Sequence, residues 1–353
     1  MKILTETLSF DPTYRIGTIA PEEEVLFFDI ETTGLRKETT QVYLIGCAFF
    51  DGGEWKLRQY LAESALDEQE IMEQFCEFAG SFRTLIHFNG DGFDIPYLAY
   101  KAQFYDLDFD FQKLRSVDIY KLAKPLKKFL CLESLSQKSV ERFLKIGRDD
   151  EYGGGALIPV FYDYERTGDP KAEHLLLLHN FDDVQGMLKI VDILSYLDLL
   201  EGDFEFRNLE IVGDTAVFEY TLKMPVPVSF EKYLDRDRIV VFAGEDLLQI
   251  SIRIFDGEAK HPLPDIENYY YLPAEDKVIH KDVAVFVDKD HRRKATKKNC
   301  YLKKKGRFLP QKHPLFEPVF QIDGEKMLYF ELDGSVTEDH RMLTEYALDI
   351  IKL

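Results

Sequence analysis

Cysteine is scarce: Cys47, Cys76, Cys131 and Cys300 are scattered over 353 positions, with no Cys-x-x-Cys pair among them. That excludes a disulfide framework and a cysteine zinc site, and the four read as reduced, mostly buried thiols. Long apolar runs are missing as well. No stretch approaches the roughly 20 residues a membrane span needs. The start, Met1-Lys-Ile-Leu-Thr-Glu-Thr-Leu8, has no continuous apolar signal core. We therefore expect a cytoplasmic protein with no membrane partner. No internal repeat is present. Basic residues are outnumbered, 44 Lys and Arg against 64 Asp and Glu, for a net charge of −20. What remains is ordinary: 45% apolar and 31% charged residues, which argues against wholesale disorder. The length allows one or two domains with a sizeable core.

The charge is unevenly spread. Residues 289–312 carry eleven Lys and Arg against the single acid Asp290, so a +10 segment stands against a −30 remainder. Aromatic residues interleave with it, Tyr269-Tyr-Tyr271 upstream and Tyr301 and Phe308 within. Cations to hold phosphates and rings to stack on bases suit a single strand. Lys303, Lys304, Lys305 and Arg307 are the candidate substrate contacts. The alternative is a surface hairpin folded against the domain's own acids.

The first 200 residues read as strands and helices in alternation. Val25–Asp29, Gln41–Phe50, Trp55–Leu61 and Thr84–Phe88 have strand character. Leu66–Ala79, Ile95–Phe104 and Leu132–Leu144 have helical spacing, and a long helical pattern spans Ala172–Leu200. Gly153-Gly-Gly155 reads as a flexible break. After about residue 203 the texture changes to strands, at Ala216–Leu222, Ile239–Phe242, Leu247–Phe255 and Met327–Leu332. Pro225 and Pro227 punctuate this region, and Asp256-Gly257 gives a turn signal. A last helix is expected to start at Thr337 as its cap and run to Leu353. The division expected is a first domain over 1–203 and a second over 204–353.

Three acidic motifs fall in the first domain. Asp29-Ile-Glu31 ends the apolar run Val25-Leu-Phe-Phe28. Its two acids sit at i and i+2, sharing a face if the strand continues, an arrangement that is repulsive unless a cation neutralises it. Asn89-Gly-Asp-Gly-Phe93-Asp94 follows a second apolar run. Gly90 and Gly92 are expected to make the turn that returns Asn89 and Asp94 to the strand end, and Asp94 is also placed to cap the helix at Ile95. His179-Asn-Phe-Asp182-Asp183 lies in the long helix. His179 and Asp183, at i and i+4, share a helix face, while Asp182 points about 100° away. Carboxylates so placed can hold two hard divalent cations, which clamp the attacking and leaving oxygens of a phosphodiester.

Together these motifs resemble those of the DEDD (DnaQ-like) exonuclease superfamily. Val117-Asp118-Ile-Tyr120, Leu132-Glu-Ser-Leu135 and the segment from His179 to Val184 resemble the YprB-type ribonuclease H-like family. The resemblance covers roughly residues 20–200. In the third motif, superfamily members carry Tyr-x-x-x-Asp or His-x-x-x-x-Asp. This chain has His179-x-x-x-Asp183, with valine at 184, so Asp183 is the better ligand. The resemblance implies an α/β fold: a ribonuclease H-like mixed sheet flanked by helices. A smaller, strand-rich α+β C-terminal domain would follow. It implies catalytic roles for Asp29, Glu31, Asp94, His179 and Asp183, and contacts to substrate from Thr32 and Asn89. Asp29, Glu31 and Asp183 would hold one ion, and Asp29 would share a second with Asp94. The cofactors would be two divalent cations, Mg²⁺ or Mn²⁺. His179 could accept the nucleophile's proton. The activity expected is a 3′→5′ exonuclease on single-stranded DNA or RNA. A structure-selective endonuclease and a catalytically weak nucleic-acid-binding adaptor are the alternatives. Nothing in the residues names a protein partner.

Overall fold

A computed structural model describes residues 1–9, 13–149 and 153–353. The chain divides into two compact units, Met1–Leu197 and Asp198–Leu353.

The first unit is built on one six-stranded sheet. Its strands are β1 (Lys2–Thr7), β2 (Val25–Thr32), β3 (Val42–Asp51), β4 (Glu54–Leu61), β5 (Thr84–His87) and β6 (Arg115–Asp118), in spatial order β1-β4-β3-β2-β5-β6. Strands β1, β4, β3 and β2 pair antiparallel, whereas β2, β5 and β6 run parallel. β2, β3 and β5 read as apolar runs because they are central: Leu26, Phe28, Tyr43, Leu44, Ile45 and Leu85 are fully buried.

Helices α1 (Glu68–Ala79) and α2 (Asp94–Phe104) precede the short α3 (Ile119–Ala123), α4 (Leu126–Phe129) and α5 (Gln137–Phe143). Helices α6 (Gly154–Thr167) and α7 (Pro170–Ile190) complete the layer. Ile71, Met72 and Phe75 of α1, Leu98 of α2, Phe161 of α6 and Leu176 of α7 join the apolar cluster of the sheet.

Several local expectations are corrected. The helix expected over 132–144 covers only Gln137–Phe143, because Ser136 caps it, accepting a hydrogen bond from Ser139 N at 3.3 Å. The glycine break is where α6 begins, at Gly154. The pattern over 172–200 is interrupted: α7 stops at Ile190 and a 3-10 turn occupies Val191–Leu194. In the turn after β5, the left-handed residue is Asn89 (φ 63°), not a glycine. Gly90 is needed for a different reason: a Cβ there would lie 2.6 Å from the His87 ring. Asp94 is the first residue of α2 rather than its cap, and Phe93 holds the cap position.

The second unit contains three three-stranded antiparallel sheets. Thr215–Leu234 runs straight through Pro225 and Pro227, and its pairing with Ile239–Arg253 slips around them. The expected turn at Asp256-Gly257 lies inside the strand Phe255–Pro262, which pairs with Tyr301–Gln311. The last helix, His340–Ile351, is capped by Asp339 instead of Thr337; its carboxylate accepts from Arg341 N and Met342 N, both at 3.0 Å.

One close approach ties α7 to the sheet. Gly46 of β3 lies under Asn180 of α7, and a Cβ at Gly46 would stand 2.1 Å from the Asn180 side-chain oxygen. Asn180 is fully buried and cannot move aside cheaply. Gly46→Ala should therefore lower the stability of the first unit by about 1–3 kcal/mol. Urea denaturation measures this, and an unchanged midpoint would mean the packing here is not as tight as described.

Candidate metal and active site

The three motifs converge at the carboxyl ends of the parallel strands. β2 carries Asp29 and Glu31 on one face, with Ile30 turned into the core between them. The ladder to β3 shifts between Glu31 and Thr32, a bulge that ends regular pairing at the last acid. Thr32 closes the local turn, its hydroxyl donating to Gly34 O at 2.9 Å.

Helix α7 brings in the third motif. His179 Nε2 lies 3.2 Å from Glu31 Oε1 and 3.2 Å from Asp183 Oδ2. The i, i+4 spacing does what the helix face requires. Asn180, one residue on, donates to Asp29 Oδ2 at 3.3 Å and accepts from Gln59 Nε2 at 3.0 Å. Asp182 faces elsewhere and accepts from Asp149 N at 2.9 Å.

The second motif closes the cluster. Asp94, the first residue of α2, is buried. Asn89 is exposed, and its backbone N–H donates to Asp118 Oδ1 at 2.9 Å.

The electrostatics follow from burial. The Asp29 carboxyl is pushed well above the usual carboxylate range, by burial first and then by the charges of Asp183, Glu31 and Asp94. Burial also raises Glu31, against the pull of His179. Asp94 is raised to about 7, chiefly by burial and further by Glu31 and Asp118. The charges of three carboxylates, Asp183, Glu31 and Asp94, thus bear on Asp29. Ligand atoms of Glu31, His179 and Asp183 lie within 4.8 Å of one another, close enough to share one ion. An oxygen-rich donor set with one imidazole fits a hard or borderline divalent cation.

Some contributors gave no signal in the sequence. Arg148 donates to Asp183 Oδ1 at 2.7 Å and to both oxygens of the buried Glu141, at 3.0 and 3.1 Å. It occupies one oxygen of Asp183 and leaves the other toward His179. Nothing in the spacing of residues 148 and 183 announces this pairing. Tyr43, whose hydroxyl reaches Glu31 Oε2 at 3.5 Å, reads in sequence only as a strand residue. A second group, His87, Asp91 and Asp118, is also compact. Its donors are engaged: His87 Nδ1 accepts from Gly90 N at 3.0 Å and Nε2 meets Ser116 Oγ at 2.7 Å. Asp91 pairs with Lys121 at 2.6 Å.

The basic segment lies in the second unit. Lys303 pairs with Asp276 at 2.5 Å and with Glu258 at 3.4 Å, and Lys304 pairs with Glu331. Lys305 is exposed, and Arg307 donates to Gly213 O at 3.4 Å.

The raised carboxyls make a signed prediction. Their folded pKa values lie above the unfolded ones, so the folded state holds more protons between the two values. Their contribution to metal-free stability is therefore present below the unfolded range, near about 4, and lost as pH rises, for Asp94 toward about 7. In EDTA, the melting temperature of the wild type should fall across that window relative to Asp94→Asn, which removes one such group. If the wild type gains stability relative to the variant over the same interval, the electrostatics are wrong.

No curated protein sequence matches this chain. Among solved structures, the chain is similar to the family B DNA polymerase of the archaeon Pyrobaculum calidifontis. Identity is 20% and the TM-score 0.40, over 52% of this chain and 25% of the polymerase. It is also similar to the zinc-bound complex of E. coli ExoI with single-stranded DNA. Identity there is 11% and the TM-score 0.32, over 80% of this chain and 64% of the enzyme. The chain thus spans a quarter of the polymerase and under two thirds of the exonuclease. Residues 26–195 match the sequence model of RNase_H_2, a family of the RNase_H superfamily, and the six-stranded mixed sheet flanked by helices is the ribonuclease H-like fold.

Proposed function

We propose that the first unit is a metal-dependent nuclease, a 3′→5′ exonuclease acting on single-stranded nucleic acid with two divalent ions, Mg²⁺ or Mn²⁺. The observation that supports this best is the crowding of Asp29 by Glu31, Asp94 and Asp183. Such mutual repulsion in a buried site costs stability unless cations relieve it. An adaptor without metal would keep that cost for nothing.

The residues divide the work. Asp29, whose pKa feels the charges of all three other acids, would contribute to both ion positions. Glu31 and Asp183 would complete one position, Asp94 the other. Bound there, two divalent cations activate water and stabilise the leaving oxygen of a phosphodiester. Arg148 and Asn180 fix one oxygen each of Asp183 and Asp29, which sets the direction of the remaining oxygens. His179 Nε2 lies 3.2 Å from both Glu31 and Asp183; it would either join their ion position or, left off the ion, take the nucleophile's proton.

End-labelled single-stranded DNA and RNA, incubated with Mg²⁺, Mn²⁺ or EDTA, provide the test. The wild type should shorten linear strands from a free 3′ end, and EDTA should stop it. Asp29→Asn should remove nearly all turnover while leaving the fold intact. Digestion by Asp29→Asn, or in EDTA, at the rate of wild type with Mn²⁺ would contradict the mechanism. Circular single strands should resist, and rapid nicking of circles would favour an endonuclease. His179→Ala should slow cleavage by about 10²–10⁴ if the imidazole is the base. A rate within a few-fold of wild type would leave it a structural role.

A further inference from the structure

The signal for nucleic-acid binding in the sequence lies at residues 289–312, yet Lys303 and Lys304 there are paired with acids of their own unit. A different surface, in the unit that carries the acids, has the required chemistry. Where the chain leaves β5 and β6 is a cavity of about 470 Å³ lined by Phe88, Asn89, Tyr120, Lys127, Leu135 and Ser136. That volume is in the range of small-ligand sites.

Its position follows from topology. Phe88 and Asn89 come directly after β5, and Tyr120 comes two residues after β6. Asp29 and Glu31 close the neighbouring parallel strand β2. The cavity thus opens along the same carboxyl edge as the acids, where open α/β sheets take their ligands. A buried carboxylate sets its walls: Asp118 Oδ1 accepts from Asn89 N at 2.9 Å and from Tyr120 N at 3.1 Å. Asp118 itself ends β6 opposite His87 of β5, at that same edge.

Its chemistry pairs rings with cations. Phe88 and Tyr120 meet edge to face, centroids 5.8 Å apart, and both are only partly buried. Lys124 Nζ stands 5.1 Å over the Tyr120 ring. From Ile119 to Leu132 the chain has four lysines, Lys121, Lys124, Lys127 and Lys128, and no acid. All four are exposed; Lys121 is paired with Asp91, which leaves Lys124, Lys127 and Lys128 for a ligand. On a chain of net charge −20 this is a local positive strip. Partly exposed rings with adjacent lysines form the platform on which a single strand stacks its bases and rests its phosphates.

We infer that this cavity is a nucleotide subsite of the substrate strand, with a base against Tyr120 and Phe88 and a backbone phosphate on Lys127 and Lys124. The inference rests on the nuclease reading for what happens next to it, but strand binding is measured apart from cleavage. The probe is a fluorescein-labelled oligothymidylate, titrated with the full chain in EDTA and followed by anisotropy. Tyr120→Ala and Lys127→Ala should each weaken binding about tenfold. Lys124→Ala with Lys127→Ala should flatten the slope of log affinity against log salt by about 1.4, at roughly 0.7 per phosphate. Lys127 is exposed, so its variant stays informative if Tyr120→Ala does not fold. Wild-type affinity and salt slope in the lysine variants would overturn the inference, as would a wild type that does not bind the oligonucleotide. A wild type whose binding depends on Lys127 but which cleaves nothing with Mn²⁺ would remove the nuclease reading and leave the subsite standing.

Discussion

Like charge held at close quarters governs the first unit. Asp29 stands on the central strand of the sheet, and the three acids whose charges raise its pKa come from the same strand, from α2 and from α7. Repulsion of this kind would push the elements apart. It is held by contacts that have no other evident use. Asn180 bridges Asp29 and Gln59, and Arg148 bridges Asp183 and the buried Glu141. Removing any one of these would leave a buried charge without its partner, which is the costly way to break such a network.

The sheet makes that convergence possible. Two strand directions meet at β2: β3 runs against it and β5 with it. The parallel side sends β5 and β6 out of the sheet at the end where the β2 acids lie, so their following turns gather there. The antiparallel side supplies a flat, glycine-lined floor at Gly46, on which α7 lies close enough for Asn180 to reach Asp29. The same closeness carries His179 and Asp183 to Glu31.

Much of this was legible from residues alone. Apolar runs located β2, β3 and β5, because strands buried on both faces have a simple pattern, and apolar–polar alternation located β4. The i, i+4 relation of His179 and Asp183 held, because helix geometry is local. Legibility failed where the deciding contact was distant or the sequence signal had two meanings. Arg148 meets Asp183 across 35 residues, and no periodicity encodes that. β1, almost wholly exposed, and β6, half-exposed, are edge strands without a strong pattern. Asp256-Gly257 carries turn chemistry but is overruled by pairing with Gly306 and Arg307. The lysines of 289–312 were visible as charge, whereas their pairing with Asp276 and Glu331 was not. The lysines near Tyr120 were the reverse case, unremarkable in number and placed by the fold beside the acids.

The central claim is that the acids around Asp29 exist to hold divalent cations. Anomalous diffraction from crystals soaked in Mn²⁺ tests it most directly. Strong peaks are expected among the carboxylates of Asp29, Glu31, Asp94 and Asp183, and they should vanish in Asp29→Asn crystals. A soaked wild-type crystal with no peak there, or with manganese only at His87, Asp91 and Asp118, would contradict it.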